Sequence, residues 1–152
     1  MERLCEFCSN STEVEDMCGK LHVEKIGDGK VIAAHHRCMQ YSAGLVQYKF
    51  DHFGGFKISK VEEEVKRGRR LKCAICKNMK DKKRRHGSAT AGCAVASCRK
   101  TFHFYCAKKD PVAITKRMII KYRKENKEVV MYRYESLWYT CINVRVQYLK
   151  IS

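Results

Sequence analysis

The sequence predicts a small α+β module held together by something other than a large hydrophobic core. Three observations predict it. The chain has 152 residues and 32% of them are charged, so the apolar material for a core is limited. It contains ten cysteines. Those cysteines fall in closely spaced pairs, some beside histidines, which is the pattern of metal ligands rather than of disulfides. The length suits one domain, or two small ones sharing an interface. No apolar run approaches the roughly 18 to 20 residues that span a bilayer. The N-terminus, MERLCEFCSN, lacks an apolar stretch behind a basic start, so no secretory leader is expected. A reducing compartment is expected, where thiols bind metals.

The elements follow in order. Residues 1–58 carry a cysteine pair and a His-Cys pair. Between these, GKLHVEK and GKVIAAH read as two short strands of a hairpin with Asp28-Gly29 at its tip. Residues 59–72, SKVEEEVKRGRRLK, read as a linking helix. Ser59 is the expected N-cap, and Glu62, three positions on, completes a capping box. Acids near the start and bases near the end suit the helix dipole, and Gly68 can end the helix. Its apolar stripe is thin, Ile58, Val61 and Val65 with Leu71 beyond, so it is expected to rest on a small body. Residues 73–110 hold most of the remaining cysteines and a basic insertion over 77–89. Residues 111–152 differ in character. They carry one cysteine, no histidine, and the strand-like stretches RMIIKY, EVVMYRY and TCINVRVQYLKI, with Glu125-Asn126 able to turn a hairpin.

Charge is unevenly spread. The formal net charge is +16, yet residues 1–65 carry eight Lys/Arg against eleven Asp/Glu. Residues 66–86 carry eleven basic residues against the single acid Asp81. So concentrated a patch points to a polyanionic partner such as nucleic acid. A membrane surface would call for a lipid anchor or a basic amphipathic helix, and neither is evident.

The cysteine spacing carries the chemistry. Cys5-x2-Cys8 is followed by His35-x2-Cys38, and two such pairs complete a tetrahedral Cys3His site for zinc. A second set follows: Cys73-x2-Cys76, Cys93-x4-Cys98 and His103-x2-Cys106. One CxxC pair arises by chance or serves redox chemistry; a series of pairs, two ending in His-x2-Cys, specifies structural zinc. His36 adjoins a ligand at the wrong spacing and reads as a neighbour. Cys18 fits no pair and reads as a buried or half-buried thiol.

This ligand order, with AAHHRCMQYSAGLV, GGF before the helix, EEEVKRGRRLKC and TFHFYCAKKD between the ligands, resembles the extended PHD zinc-finger family over about residues 3–110. That module is a pre-PHD zinc knuckle fused to an atypical, cross-braced PHD finger. The resemblance implies three zinc ions. The first takes Cys5, Cys8, His35 and Cys38. Cys73 and Cys76 share the second with His103 and Cys106. Cys93 and Cys98 share the third with a final Cys-x2-His pair. Cys141 stands where the seventh PHD ligand is expected, but Val144 stands where the eighth should be, and no histidine follows His103. The third site is therefore incomplete. The sixteen residues between Cys76 and Cys93 are also a longer link than the family usually has.

The same residues bear on function. The run KDKKRR suits a nuclear import signal or a phosphate grip. Lys66, Arg67, Arg69, Arg70 and Lys72, with Lys82, Lys83, Arg84 and Arg85, are the expected contacts to double-stranded DNA. The resemblance implies a nuclear and nucleolar chromatin protein that tethers a transcription regulator, with histones or a chromatin-regulating complex as further partners. The competing reading is a histone-tail reader, whose acidic groove would draw on Glu13, Glu15, Asp16 and Glu62 to Glu64. The aromatics Tyr41, Tyr48, Phe50, Phe53, Phe56, Phe102, Phe104 and Tyr105 could line a methyl-lysine cage, but packing around zinc is the favoured role. No catalytic residues, small-molecule substrate or membrane partner is expected. The ligand order is not that of a RING-type ubiquitin ligase.

Overall fold

The computed structural model describes residues 3–76, 87–93 and 99–109 in full, and 114–124 and 127–137 as backbone strands. In chain order the elements are helix α1 (Glu15–Cys18), strands β1 (Leu21–Lys25) and β2 (Val31–His35), and helices α2 (His36–Gln40) and α3 (Ile58–Gly68). Strands β3 (Ala91–Gly92) and β4 (Thr101–Phe102), helix α4 (Phe104–Lys109), and strands β5 (Ile114–Lys124) and β6 (Lys127–Leu137) follow. Each strand pair forms its own two-stranded antiparallel sheet. The architecture is the small α+β module that the sequence predicts. Among the described residues no helix is long and apolar enough to cross a membrane.

The first hairpin forms where the two strand-like segments and their glycines place it. Leu21 pairs with His35 and Lys25 with Val31. The Ile26 N–H donates to the Lys30 carbonyl at 3.0 Å, and Gly27 and Gly29 take the positive φ angles of 125° and 72° that the turn requires. The register sets His35 at the end of β2, so the chain passes directly from strand to ligand to α2, whose first turn carries Cys38.

Helix α3 starts two residues earlier than its capping pattern suggests. Lys57 is the N-cap, its carbonyl accepting the Lys60 and Val61 N–H groups at 3.0 Å, and no side chain caps the helix. Ser59 thus lies inside the first turn and the capping box does not form. The helix ends at Gly68, where any Cβ would collide with Ser88 and Thr90. Val61 and Val65 are buried and Ile58 partly so, as the stripe requires.

Two apolar clusters result, and two devices join them. The larger gathers Phe7, Leu21, Ile32, Met39, Phe53, Phe56, Val61 and Val65; the smaller gathers Cys73, Ala89, Ala91, Phe102 and Ala107. Phe104 of α4 belongs to the larger cluster, and its ring stacks on Tyr41 at 4.6 Å with 15° between planes. Tyr41 also packs against the smaller cluster. The second device is polar. Glu64 is buried on α3 and accepts hydrogen bonds from the Ser42 hydroxyl at 2.8 Å, the Gly44 N–H, and Arg67. Ser42 lies 2.6 Å from the Thr90 hydroxyl and bridges to Ala91 of β3. Glu64 therefore ties the linking helix to the first half, and Ser42 carries the link on to Thr90 of the second.

The C-terminal strands form the hairpin expected around Glu125-Asn126, from Ile114 opposite Leu137 to Lys124 opposite Lys127. Residues 125–126 and the stretch TCINVRVQYLKI lie outside the described residues. β6 runs beside β3 and α2, and β5 beside α4.

Glu64→Gln keeps the shape and removes the charge that three donors converge on. It is expected to destabilise the zinc-loaded chain by about 2 kcal/mol, read as a lowered midpoint of thermal unfolding. Asp51→Asn, at an exposed carboxylate, is the control expected to leave the midpoint unchanged.

Candidate metal centres

Two tetrads of ligand atoms come together. Cys5, Cys8, His35 and Cys38 form one, and Cys73, Cys76, His103 and Cys106 the other; within each, all ligand atoms lie within 4.8 Å of one another. A tetrahedral zinc with bonds of about 2.0 to 2.3 Å sets its donors a little under 4 Å apart, so both tetrads fit the ion with small adjustment. Both are Cys3His sets, soft sulfur with one imidazole, which suits Zn²⁺ over harder cations. The described residues hold two zinc sites.

The two sites are built alike. In the first, the His35 N–H donates to Cys5 Sγ at 3.3 Å, and in the second the His103 N–H donates to Cys73 Sγ at 3.4 Å; each pair is 30 residues apart. Cys8 Sγ lies 3.2 Å from His35 Nδ1, and Cys76 Sγ 3.4 Å from His103 Nδ1, each pair 27 residues apart. The Phe7 and Cys76 N–H groups also point at the first sulfur of their pair, at 3.4 and 3.5 Å. His35 is the last residue of β2 and His103 directly follows β4, and in both sites a helix beginning at the next residue supplies the last cysteine. The Nε2–H of His35 donates to the Ser11 carbonyl at 2.8 Å, which leaves Nδ1 to face the metal.

Proton affinities express the same geometry. At the second site the Cys73 thiol is held down at about 3. The Cys106 thiol bonded to it is the largest cause, and His103 and two backbone N–H groups also outweigh burial. Cys106, in that same contact, is pushed far up. Cys76 rises to about 11, through burial and then the neighbouring Cys73 charge. At the first site burial pulls His35 down, but its bonds to Cys5 and Cys8 overcome this and raise it to about 10. Within each site the ligand groups thus compete for shared protons, the signature of donors crowded around a place for positive charge. Zn²⁺ supplies that charge and displaces the protons on binding.

The remaining predicted residues sort as follows. Cys93 is described, and its N–H donates to the Lys100 carbonyl at 3.1 Å; Cys98 and Cys141 lie outside the described residues, as do Lys82, Lys83, Arg84 and Arg85. Lys66, Arg67, Arg69, Arg70 and Lys72 are exposed around the end of α3, with Arg67 paired to Glu64. His36 is no ligand. Its Nε2 lies 2.9 Å from the Gln40 amide and its Nδ1 3.1 Å from His22 Nε2. The aromatics mostly pack: Phe53, Phe56, Phe102 and Phe104 are buried.

Sequence reasoning missed two things. The backbone beside Cys73 bridges to Thr101, and the Thr101 hydroxyl donates to the Lys72 carbonyl at 3.0 Å. Arg99 and Lys100 are thereby brought beside Lys72 and extend the basic surface. The shared ion of Cys73 and His103 was the available signal, because it forces the residues just before each ligand together. The other omission is Cys18, which lies against the first tetrad and hydrogen-bonds with Cys8 and Cys38. No ligand spacing announces it.

Each zinc is expected to supply on the order of 10 kcal/mol of folding free energy, so its removal is expected to unfold the chain. Cys73→Ser is expected to lose one ion by native mass spectrometry. Stripping both described sites with a strong chelator is expected to abolish the near-ultraviolet circular dichroism, and zinc is expected to restore it.

Comparison with known proteins places this architecture. The family model of the PHD-like zinc-binding domain matches residues 35–135, running past residue 110, where the resemblance read from the sequence stops. PHD finger protein 11 of Rattus norvegicus is 43% identical over 83 residues, which is 52% of this chain and 22% of that protein. PHD finger protein 11 of Homo sapiens is 35% identical over 113 residues, 72% of this chain and 30% of that protein. The G2/M phase-specific E3 ubiquitin-protein ligase of Homo sapiens is 28% identical over 104 residues, 67% of this chain and 13% of that protein. The chain thus spans less than a third of the length of each of these relatives. With two Cys3His sites in the described residues and a family match over most of its length, the chain belongs to the family of PHD-like zinc-binding domains.

Proposed function

We propose that this chain is a nuclear, chromatin-associated module that grips double-stranded DNA and tethers a transcription regulator there. The observation that carries the reading is the basic surface around the second zinc. Lys66, Arg69, Arg70 and Lys72 after α3 are exposed, and the pairing of Cys73 with Thr101 adds Arg99 and Lys100 beside them. The net charge of +16 includes a further cluster over residues 77–85. Phosphate contacts from such side chains give affinity with little sequence preference, and base readout is not part of the proposal. Zinc here is structural: it fixes the two strands of chain that carry the basic residues at one separation.

The tether and the nucleolar location come from the resemblance alone. Within the family, AAHHRCMQYSAGLV and TFHFYCAKKD resemble PHD finger protein 6, with PHD finger proteins 11 and 7 beside it. The histone-reader alternative has less to stand on. Three of the six acids it would use are engaged within the chain: Glu13 accepts the Ser11 N–H, Glu15 the Leu21 N–H at 2.7 Å, and Glu64 is buried. Ubiquitin-ligase activity is a property of a relative of which this chain covers 13%.

The test is a salt series. The zinc-loaded chain is titrated with a mixed-sequence duplex at several salt concentrations, beside a variant with Lys72, Arg99 and Lys100 changed to Ser and another with Lys82, Lys83, Arg84 and Arg85 changed to Ser. Binding is expected to weaken linearly in log salt, and the slope to become shallower by about 0.9 for each phosphate contact removed. A folded, zinc-loaded chain that ignores the duplex at low salt overturns the reading, and capture of a basic histone-tail peptide in its place favours the alternative.

A further inference from the structure

Cys18 fits none of the ligand pairs, yet its thiol touches two ligands of the first zinc. It hydrogen-bonds with the sulfurs of Cys8 and Cys38, is fully buried, and shares an apolar cluster with Cys5 and Cys38. Several tethers fix it there. Helix α1 ends at Gly19, whose φ of 79° turns the chain, and a Cβ at that position would stand 3.2 Å from His36 Cβ. The turn therefore packs directly on the start of α2, the helix that carries Cys38. Arg37 on α2 donates to the Met17 carbonyl at 2.9 Å, and the His36 N–H donates to the Lys20 carbonyl at 2.9 Å. The residues on both sides of Cys18 are thus bonded to the helix of a zinc ligand.

A structural zinc takes four donors; the tetrad supplies them, and Cys18 is a further thiol in contact with two of the four, Cys8 and Cys38. The four members of the tetrad are not equivalent. Cys5, His35 and Cys38 are buried, whereas Cys8 is partly exposed. Cys8 is the ligand that water and electrophiles reach first, and it is also one that Cys18 touches. We propose that Cys18 is a reserve ligand of the first zinc, replacing Cys8 when the Cys8 thiolate is withdrawn, so that the ion keeps three sulfurs and one imidazole. In the exchange the bond from zinc to Cys8 breaks and the bond to Cys18 forms. The Cys18 proton passes to the Cys8 sulfur in contact with it, or to solvent where that sulfur is alkylated or absent, so zinc again has three thiolates and one imidazole. The first site then tolerates loss of its most accessible ligand.

The experiment counts ions in the full chain by native mass spectrometry and reads the ligand set by cobalt substitution, where thiolate-to-metal charge transfer reports the number of sulfurs. Cys18→Ser is expected to bind as many ions as the wild type, with an unchanged cobalt spectrum. Cys8→Ser is expected to keep its ion and three-sulfur intensity. Cys5→Ser and the double variant Cys8→Ser/Cys18→Ser are each expected to lose one ion. The proposal is overturned if Cys8→Ser loses the ion as readily as the double variant, or if Cys18→Ser alone loses it. A Cys8→Ser chain that fails to fold in zinc also counts against it, because binding and folding are one equilibrium here. The wild type gives a second reading under limited N-ethylmaleimide, with modified residues mapped by peptide mass and zinc release followed with a chromogenic chelator. Cys8 modified with its ion retained supports the reserve ligand; release of one ion in step with Cys8 modification refutes it.

Discussion

The constraint on which the rest depends is the sharing of one ion by residues about 30 positions apart. Closing loops of that length costs conformational entropy that a module this small recovers poorly from apolar burial alone. Zinc supplies the closure with a few strong bonds and dictates its geometry as well. Once Cys5 and His35 share an ion, the hairpin between them has little freedom left, and its end delivers the next ligand helix. The same holds for Cys73 and His103. That the two sites repeat the same separations and the same backbone hydrogen bonds to sulfur indicates one local solution used twice.

Two metal sites do not by themselves make one body. That task falls to a stacked aromatic pair and one buried carboxylate. Phe104 belongs by sequence to the second site and by packing to the first core, with Tyr41 as its partner. Glu64 stands on the helix between the halves and binds Ser42 and Gly44, while Ser42 reaches Thr90. The close fit leaves no room for error, since a Cβ at Gly44 would stand 2.5 Å from the Glu64 carboxylate and one at Gly68 would meet Ser88 and Thr90. Small residues at these joints are a packing requirement.

Much of this is legible in the sequence, for physical reasons. Metal ligands obey short-range spacing rules, so both tetrads can be recognised from the order of cysteine and histidine along the chain. The hairpin announces itself through Gly27 and Gly29, and α3 through its stripe of Ile58, Val61 and Val65. What stays hidden depends on tertiary contact. Glu64 sits in a run of three acids and looks like its neighbours; only burial separates it from Glu63, which pairs with Lys60 at the surface. Cys18 has no partner at ligand spacing, because Gly19 and the Arg37 bond, not a CxxC turn, bring it to the site. Arg99 and Lys100 join Lys72 only through a bridge across the second zinc.

The same geometry bears on charge. Three thiolates and an imidazole around Zn²⁺ leave each site with one net negative charge, and the second site holds that charge on the segments of chain that also carry Lys72, Arg99 and Lys100. A partly buried anion near these cations lowers the cost of crowding them on one surface. The acid-rich first half has no such need, and its carboxylates serve instead to bond the backbone at Ser11, Leu21 and Gly44. The two halves use the same Cys3His chemistry, yet only the second is surrounded by a basic surface, and that asymmetry follows from where lysine and arginine stand in the chain rather than from the metal.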